Sequence, residues 1–134
     1  MTAEPVVIDT GPLVALLDED DPRHGDCQAV YAGLRRPVYT TWPVVTEAVW
    51  LLRKTRRGPQ QALSLIESGV FVTVDLGPEA ARWMRTFLDR YADLRRERTV
   101  NDILTLWLAC SGWWVFLSDL RSVGCRSVRY SGGS

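Results

Sequence analysis

Short β-branched runs alternate with helix-length segments along the 134 residues, and this predicts an α/β fold. The expected architecture is a three-layer sandwich, a parallel β-sheet with helices on both faces. Three observations carry the prediction. β-Branched residues cluster at residues 5–8, 38–41 and 70–74, and residues 113–117 are an aromatic and aliphatic run. The segments between these runs are long enough for right-handed crossover helices. Proline stands where helices should begin, at Pro12, Pro22, Pro43, Pro59 and Pro78.

In chain order, residues 5–8 form a first strand that ends at Asp9. Thr10-Gly11-Pro12 punctuates, and a helix is expected over 13–17. Asp20-Asp21-Pro22 opens a second helix towards Leu34, with Asp21 placed as its N-cap. Residues 38–41 are the second strand. Pro43 starts a helix over 44–56, and Pro59 starts another that Ser68-Gly69 closes. Residues 70–74 are the third strand, and Gly77-Pro78-Glu79 begins a helix to Tyr91. A charged loop at 93–98 leads to Thr99, which caps a helix reaching Cys110. Residues 113–117 are the fourth strand, 119–124 a turn and 127–130 a last strand. Residues 1–130 therefore read as a single domain, with 131–134 as a flexible tail.

Composition narrows the function. Hydrophobic residues make up 46% and charged residues 24%, which excludes wholesale disorder. Sixteen basic and sixteen acidic residues cancel, which excludes a globally basic nucleic-acid binder but leaves room for a local patch. Lys54 is the only lysine and follows Arg53, so no phosphate-binding P-loop exists. A receiver domain, which needs a lysine after a late strand, is excluded by the same residue. Cys27, Cys110 and Cys125 are odd in number and show no CxxC spacing, which argues against a disulfide framework or a zinc site and for the reducing cytoplasm. The N-terminal residues lack a basic, apolar leader, and no uncharged run is long enough to span a membrane.

In parallel sheets the ligand site lies beyond the carboxyl ends of the strands, at a switch point. Four acids fall there. Asp9 ends the first strand and Asp119 the fourth. Glu47 lies early in the helix after the second strand. At 100° per residue it sits beside the apolar arc of Val44, Val45, Ala48, Val49, Leu51 and Leu52, about 60° from Val44. Asp102 sits on the apolar stripe of the helix from Thr99, with Ile103, Leu106, Ala109 and Cys110. Carboxylates facing a core and one another are costly to ionise. A hard divalent cation removes that cost, and an oxygen-only cluster points to Mg²⁺ or Mn²⁺ rather than zinc. Each acid also has a local structural role open to it: Asp9 and Asp102 as caps, Glu47 as a solvated helix acid, Asp119 as a turn acid.

The run Val7-Ile8-Asp9-Thr10-Gly11-Pro12-Leu13-Val14-Ala15-Leu16-Leu17, with Asp20-Asp21-Pro22-Arg23-His24 after it, resembles the opening of the PIN-domain ribonucleases. Within that family it is most similar to the VapC-like toxins of prokaryotic toxin–antitoxin pairs. Thr46-Glu47-Ala48 resembles the second family motif, Tyr91-Ala92-Asp93-Leu94 the approach to the third, and Phe116-Leu117-Ser118-Asp119 the fourth. The resemblance implies hydrolysis of RNA phosphodiester bonds at Asp9, Glu47, Asp102 and Asp119, which would hold one or two Mg²⁺ or Mn²⁺ ions. Thr10 and Ser118 match the hydroxyl residues beside the first and last acids. It also implies a cytoplasmic protein, a cognate antitoxin and a homodimer. Where the family often carries further acids, this chain has Thr99, Arg121 and Ser122. The alternative is a PIN-like module that binds RNA or protein with weak catalysis or none.

Other residues have simpler readings. His24, the single histidine, is expected to pack or cap. Arg53-Lys54-Thr55-Arg56-Arg57 either meets RNA phosphates or interacts with the end of its own helix. Arg95, Arg96 and Arg98 stand nearer to the proposed chemistry. Trp42 and Trp50 fall off the apolar arc and are expected at a partner surface.

Overall fold

The computed structural model describes residues 6–34, 37–90, 114–119 and 124–129, the last two segments through their backbone. Its elements are β1 (Val6–Ile8), α1 (Thr10–Leu17), α2 (His24–Ala32), β2 (Val38–Thr40), α3 (Trp42–Leu51), a 3-10 turn (Leu52–Lys54), α4 (Gly58–Glu67), β3 (Phe71–Thr73), α5 (Gly77–Arg90), β4 (Trp114–Asp119) and β5 (Gly124–Arg129). The strands form one sheet in the order β3-β2-β1-β4-β5.

β1 is central. It pairs in parallel with β2 (Val6↔Val38) and with β4 (Ile8↔Phe116). Val6, Val7 and Ile8 are all buried although successive side chains point to opposite faces, so both faces of the strand are covered. The steps β1 to β2 to β3 run one way, and the step to β4 crosses back over β1. α1, α3 and α4 pack on one another and α1 also meets α2, and the right-handed crossover rule assigns the β3-to-β4 connection, which α5 begins, to the opposite face. Four strands are parallel, and β5 is antiparallel to β4. Only residues 120–123 join that pair, too few for the crossover of a dozen or more that a parallel return needs.

Local chemistry explains the helix boundaries. α1 begins at Thr10, ahead of the expected residue 13, because Asp9 is its N-cap and accepts from the Thr10 N–H at 2.8 Å. Pro12 lies in the first turn, where its missing N–H costs nothing. Asp21 is not the N-cap of α2. It accepts from the Arg23 N–H at 2.8 Å and pairs with the Arg23 guanidinium at 3.0 Å, forming a turn ahead of the helix. Burial pushes the Asp21 carboxyl up, but the hydrogen bonds and charge of Arg23, with His24, outweigh it and hold the group below its ordinary value. Thr41 caps α3 through the Val44 N–H, with Pro43 in the first turn. α4 ends at Ser68, and Gly69 follows at φ +79°, a backbone conformation that favours glycine.

The core joins Ile8, Leu13, Ala15, Val38, Val44, Ala48 and Phe71. Tyr31 meets Phe71 edge-on at 5.8 Å, tying α2 to β3. The buried stripe of α3 is narrower than the arc expected from its sequence: Val44, Val45, Ala48 and Leu52 are enclosed, whereas Leu51 on its rim is 47% exposed. Cys27 is fully buried and disulfide-bonded, contrary to the expectation from cysteine spacing. That expectation rested on the odd count and the absence of CxxC spacing, neither of which excludes a bond between distant segments. Among the described residues, no helix is long and apolar enough to cross a membrane.

Gly58 opens α4 directly against the preceding turn. Its N–H donates to Thr55 Oγ1 at 2.9 Å, and a β-carbon there would collide with that oxygen and with Leu52. Gly25, in α2, has open space around the same position. Gly58→Ala should therefore lower stability by about 1–3 kcal/mol, whereas Gly25→Ala should raise it by about 0.5 kcal/mol. Urea denaturation of the two variants checks both signs.

Candidate active site at the carboxyl edge of the sheet

The chain turns from β1 into α1 at the point where the strand order reverses between β1 and β4. Open α/β sheets bind ligands in this crevice. Asp9 occupies the turn. It follows the last β1 residue, is 9% exposed, and stands at the positive end of the α1 dipole. One strand away, Asp119 closes β4, paired with Gly124 of β5. Since Ile8 is opposite Phe116, β4 carries its acid two residues beyond the position that Asp9 faces.

Glu47 reaches the same edge by another route. β2 ends at Thr40, Thr41 caps α3, and Glu47 lies in the second turn of that helix. α3 packs against α1. Glu47 is half-buried, as its place beside the apolar arc implies. Asp102 lies outside the described residues, with Thr99, Asp93 and the Arg95, Arg96 and Arg98 group. The structure thus sets Asp9, Glu47 and the end of β4 on neighbouring elements at one edge. Among the described residues, no three His, Cys, Asp or Glu side chains form a cluster.

Threonine hydroxyls shape the edge. Thr10 Oγ1, adjacent to Asp9, is buried without a hydrogen-bond partner among the described residues. A buried hydroxyl left unsatisfied is costly, and such positions are filled by an ordered water, an ion's hydration shell or a ligand. Thr40 is fully enclosed and donates to the Ile8 carbonyl at 3.3 Å, fixing β2 against β1 immediately before Asp9. The sequence reading treated Thr40 and Thr41 only as strand residues. The signal is two polar residues ending an otherwise apolar strand, separated from the helix-starting Pro43 by Trp42 alone.

His24 has a structural position. Its Nδ1 lies 2.6 Å from the Ala15 carbonyl. A carbonyl only accepts, so the proton sits on Nδ1, and the ring joins the start of α2 to α1. Trp42 and Trp50 are 53% and 62% exposed, as their positions off the arc imply. They stand at opposite ends of α3, Trp42 beside the acidic edge and Trp50 away from it.

No family model and no curated protein matches the chain. Among solved structures it is similar to the crystal structure of VapC20 of Mycobacterium tuberculosis, described as a sarcin–ricin loop cleaving toxin. The two share 21% sequence identity and superpose with a TM-score of 0.70, over 79% of this chain and 82% of that one. The chain has the fold of that toxin, the PIN-like α/β sandwich that its opening motif resembles.

Proposed function

We propose that the protein is a metal-dependent endoribonuclease that hydrolyses RNA phosphodiester bonds, acting as the toxin of a toxin–antitoxin pair in the cytoplasm. The observation that carries the reading furthest is the buried Asp9 at the switch point, with the Thr10 hydroxyl beside it, which has no partner among the described residues. The description of VapC20 as a toxin that cleaves the sarcin–ricin loop supports the same reaction class.

The donor set fits a hard cation. His24 is turned to Ala15 and Cys27 is taken by its disulfide, so carboxylate and hydroxyl oxygens are what the edge offers. Asp9, Asp102 and Asp119 would be the principal ligands of Mg²⁺ or Mn²⁺, with Glu47 as a further ligand or as a base. Such an ion, when bound, supplies a Lewis acid and lowers the pKa of water. The chain's own residues do the rest. Asp9, held by the Thr10 N–H, presents charge at a fixed place. The Glu47 carboxylate can take the proton of an attacking water. Thr10 Oγ1 can donate to a phosphate oxygen, which would relieve its unsatisfied state.

A cognate antitoxin that covers this edge is the proposed protein partner, alongside self-association as a homodimer. An inserted arginine would pair with the carboxylates, and the exposed Trp42 beside them would anchor apolar surface.

Asp9→Asn keeps the shape of the site and should lower RNA cleavage by about 10²-fold or more while melting as a folded protein. Wild-type turnover by that variant would overturn the assignment. Saturating Mn²⁺ should raise the melting temperature of the wild type, and EDTA should reverse the gain, because an ion that binds the folded state stabilises it. An unchanged melting curve would count against the metal site whatever the activity. RNA bound but left uncut with every cation tried would leave a binding module. Glu47→Gln or Asp119→Asn should weaken antitoxin capture as well as cleavage, and capture should weaken with added salt, measured by pull-down from the native host.

A further inference from the structure

The basic segment after α3 divides into two parts. Arg53 is engaged locally: its Nη1 donates to the Trp50 carbonyl at 2.8 Å, and its guanidinium lies 3.9 Å from the centre of the Trp50 ring. It serves the end of its own helix, one of the two readings open from sequence. Arg56 and Arg57 do not follow it. Both are exposed, and neither has a carboxylate within salt-bridge distance among the described residues. They line a cleft of about 440 Å³ with Gln60, Gln61 and Ser64. Every one of these five side chains can donate a hydrogen bond, and none is an acid.

On the other side of the same arginines, a cleft of about 490 Å³ also borders Asp18, Glu19 and Asp20. That acidic loop restricts where an anion can approach. The side formed by α4 is favourable to phosphate, and the side formed by the 18–20 loop is repulsive. α3 is ten residues long, so the pair Arg56 and Arg57 lies roughly 15 Å from the acidic edge at which α3 begins. The segment is therefore distinct from the proposed chemistry.

We infer that Arg56 and Arg57, with Gln60, Gln61 and Ser64, form a docking surface for the RNA phosphate backbone, separate from the site of cleavage. The inference rests on the nuclease reading for its substrate class. A fixed guanidinium fork matches phosphate oxygens in two directions, the amides add neutral donors, and none of this reads sequence. The surface holds a folded RNA in place while a neighbouring stretch reaches the acids.

The test uses the full chain in the Asp9→Asn background, so that RNA stays intact, and a fluorescein-labelled RNA stem-loop as the probe. R56Q/R57Q should bind about ten-fold more weakly, and its salt dependence should be shallower by nearly two counterions. An unchanged melting temperature shows that the fold is kept, and R56K/R57K should recover most of the salt slope. With Asp9 restored, R56Q/R57Q should slow cleavage of the stem-loop more than cleavage of a short unstructured oligonucleotide. Equal affinity and equal salt slope in both proteins would overturn the docking surface. So would intact RNA binding combined with altered self-association, which would assign the patch to protein contact. A wild type that binds through the arginine pair but never cuts would remove the nuclease reading and leave the surface. A wild type that cuts well, with the pair making no difference to binding, would do the reverse.

Discussion

The burial of β1 on both faces is the constraint from which the rest follows. A three-residue strand with hydrogen-bonded neighbours on both sides and every side chain buried has no access to water until it ends. The first residue that can be polar is the one after Ile8, and that residue is Asp9. Its backbone amide groups must also be satisfied as the chain leaves the sheet, which the immediate start of α1 and the Asp9 cap achieve. Thr40 braces the same point from β2. Thus one carboxylate is held nearly buried, rigidly oriented and beside a helix N-terminus. Each property follows from keeping β1 dry.

Much of this was legible from residue order. The β-branched run ending in Asp9, the prolines Pro12, Pro43, Pro59 and Pro78, and Ser68-Gly69 as a stop are local signals with local causes, and the elements appear where those signals stand, whereas Pro22 lies in a turn ahead of α2. The sheet order was less accessible. That β4 returns beside β1 depends on which apolar strands pair across the whole chain. The antiparallel β5 follows from the shortness of the connection after Asp119, which the sequence reading took as a turn without drawing out its direction. The exposed Leu51 shows the limit of a helical wheel: the wheel gives an apolar arc, but the neighbours decide how much of it is covered. The Cys27 disulfide joins segments that spacing arithmetic cannot relate. Thr40 became visible as part of the site only once β1 and β2 were known to be adjacent.

Charge is segregated along one helix. At the start of α3 the chain carries Asp9 and Glu47, and beyond its end Lys54, Arg56 and Arg57 make the side towards α4 basic, with Asp18, Glu19 and Asp20 on their other side. The net charge of zero conceals this separation. A polyanion approaching the molecule is attracted to one end of α3 and repelled from the other unless a cation neutralises the acids, so its orientation is set before contact. Arg53 is the exception within the basic segment, because stacking on Trp50 and bonding to its carbonyl commit it to the helix itself.

The pairing of Ile8 with Phe116 joins the first strand to the fourth, from opposite ends of the chain. Contacts of such long sequence separation form late, because the loop they close is large. During synthesis β1 can acquire β2 and β3 first, yet one of its edges stays open until the β4–β5 hairpin leaves the ribosome. The acid at the end of β4 arrives with that hairpin. A chain made only as far as α5 therefore carries Asp9 and Glu47 without the acid of β4, and the candidate site is completed only once the fourth strand has joined the first.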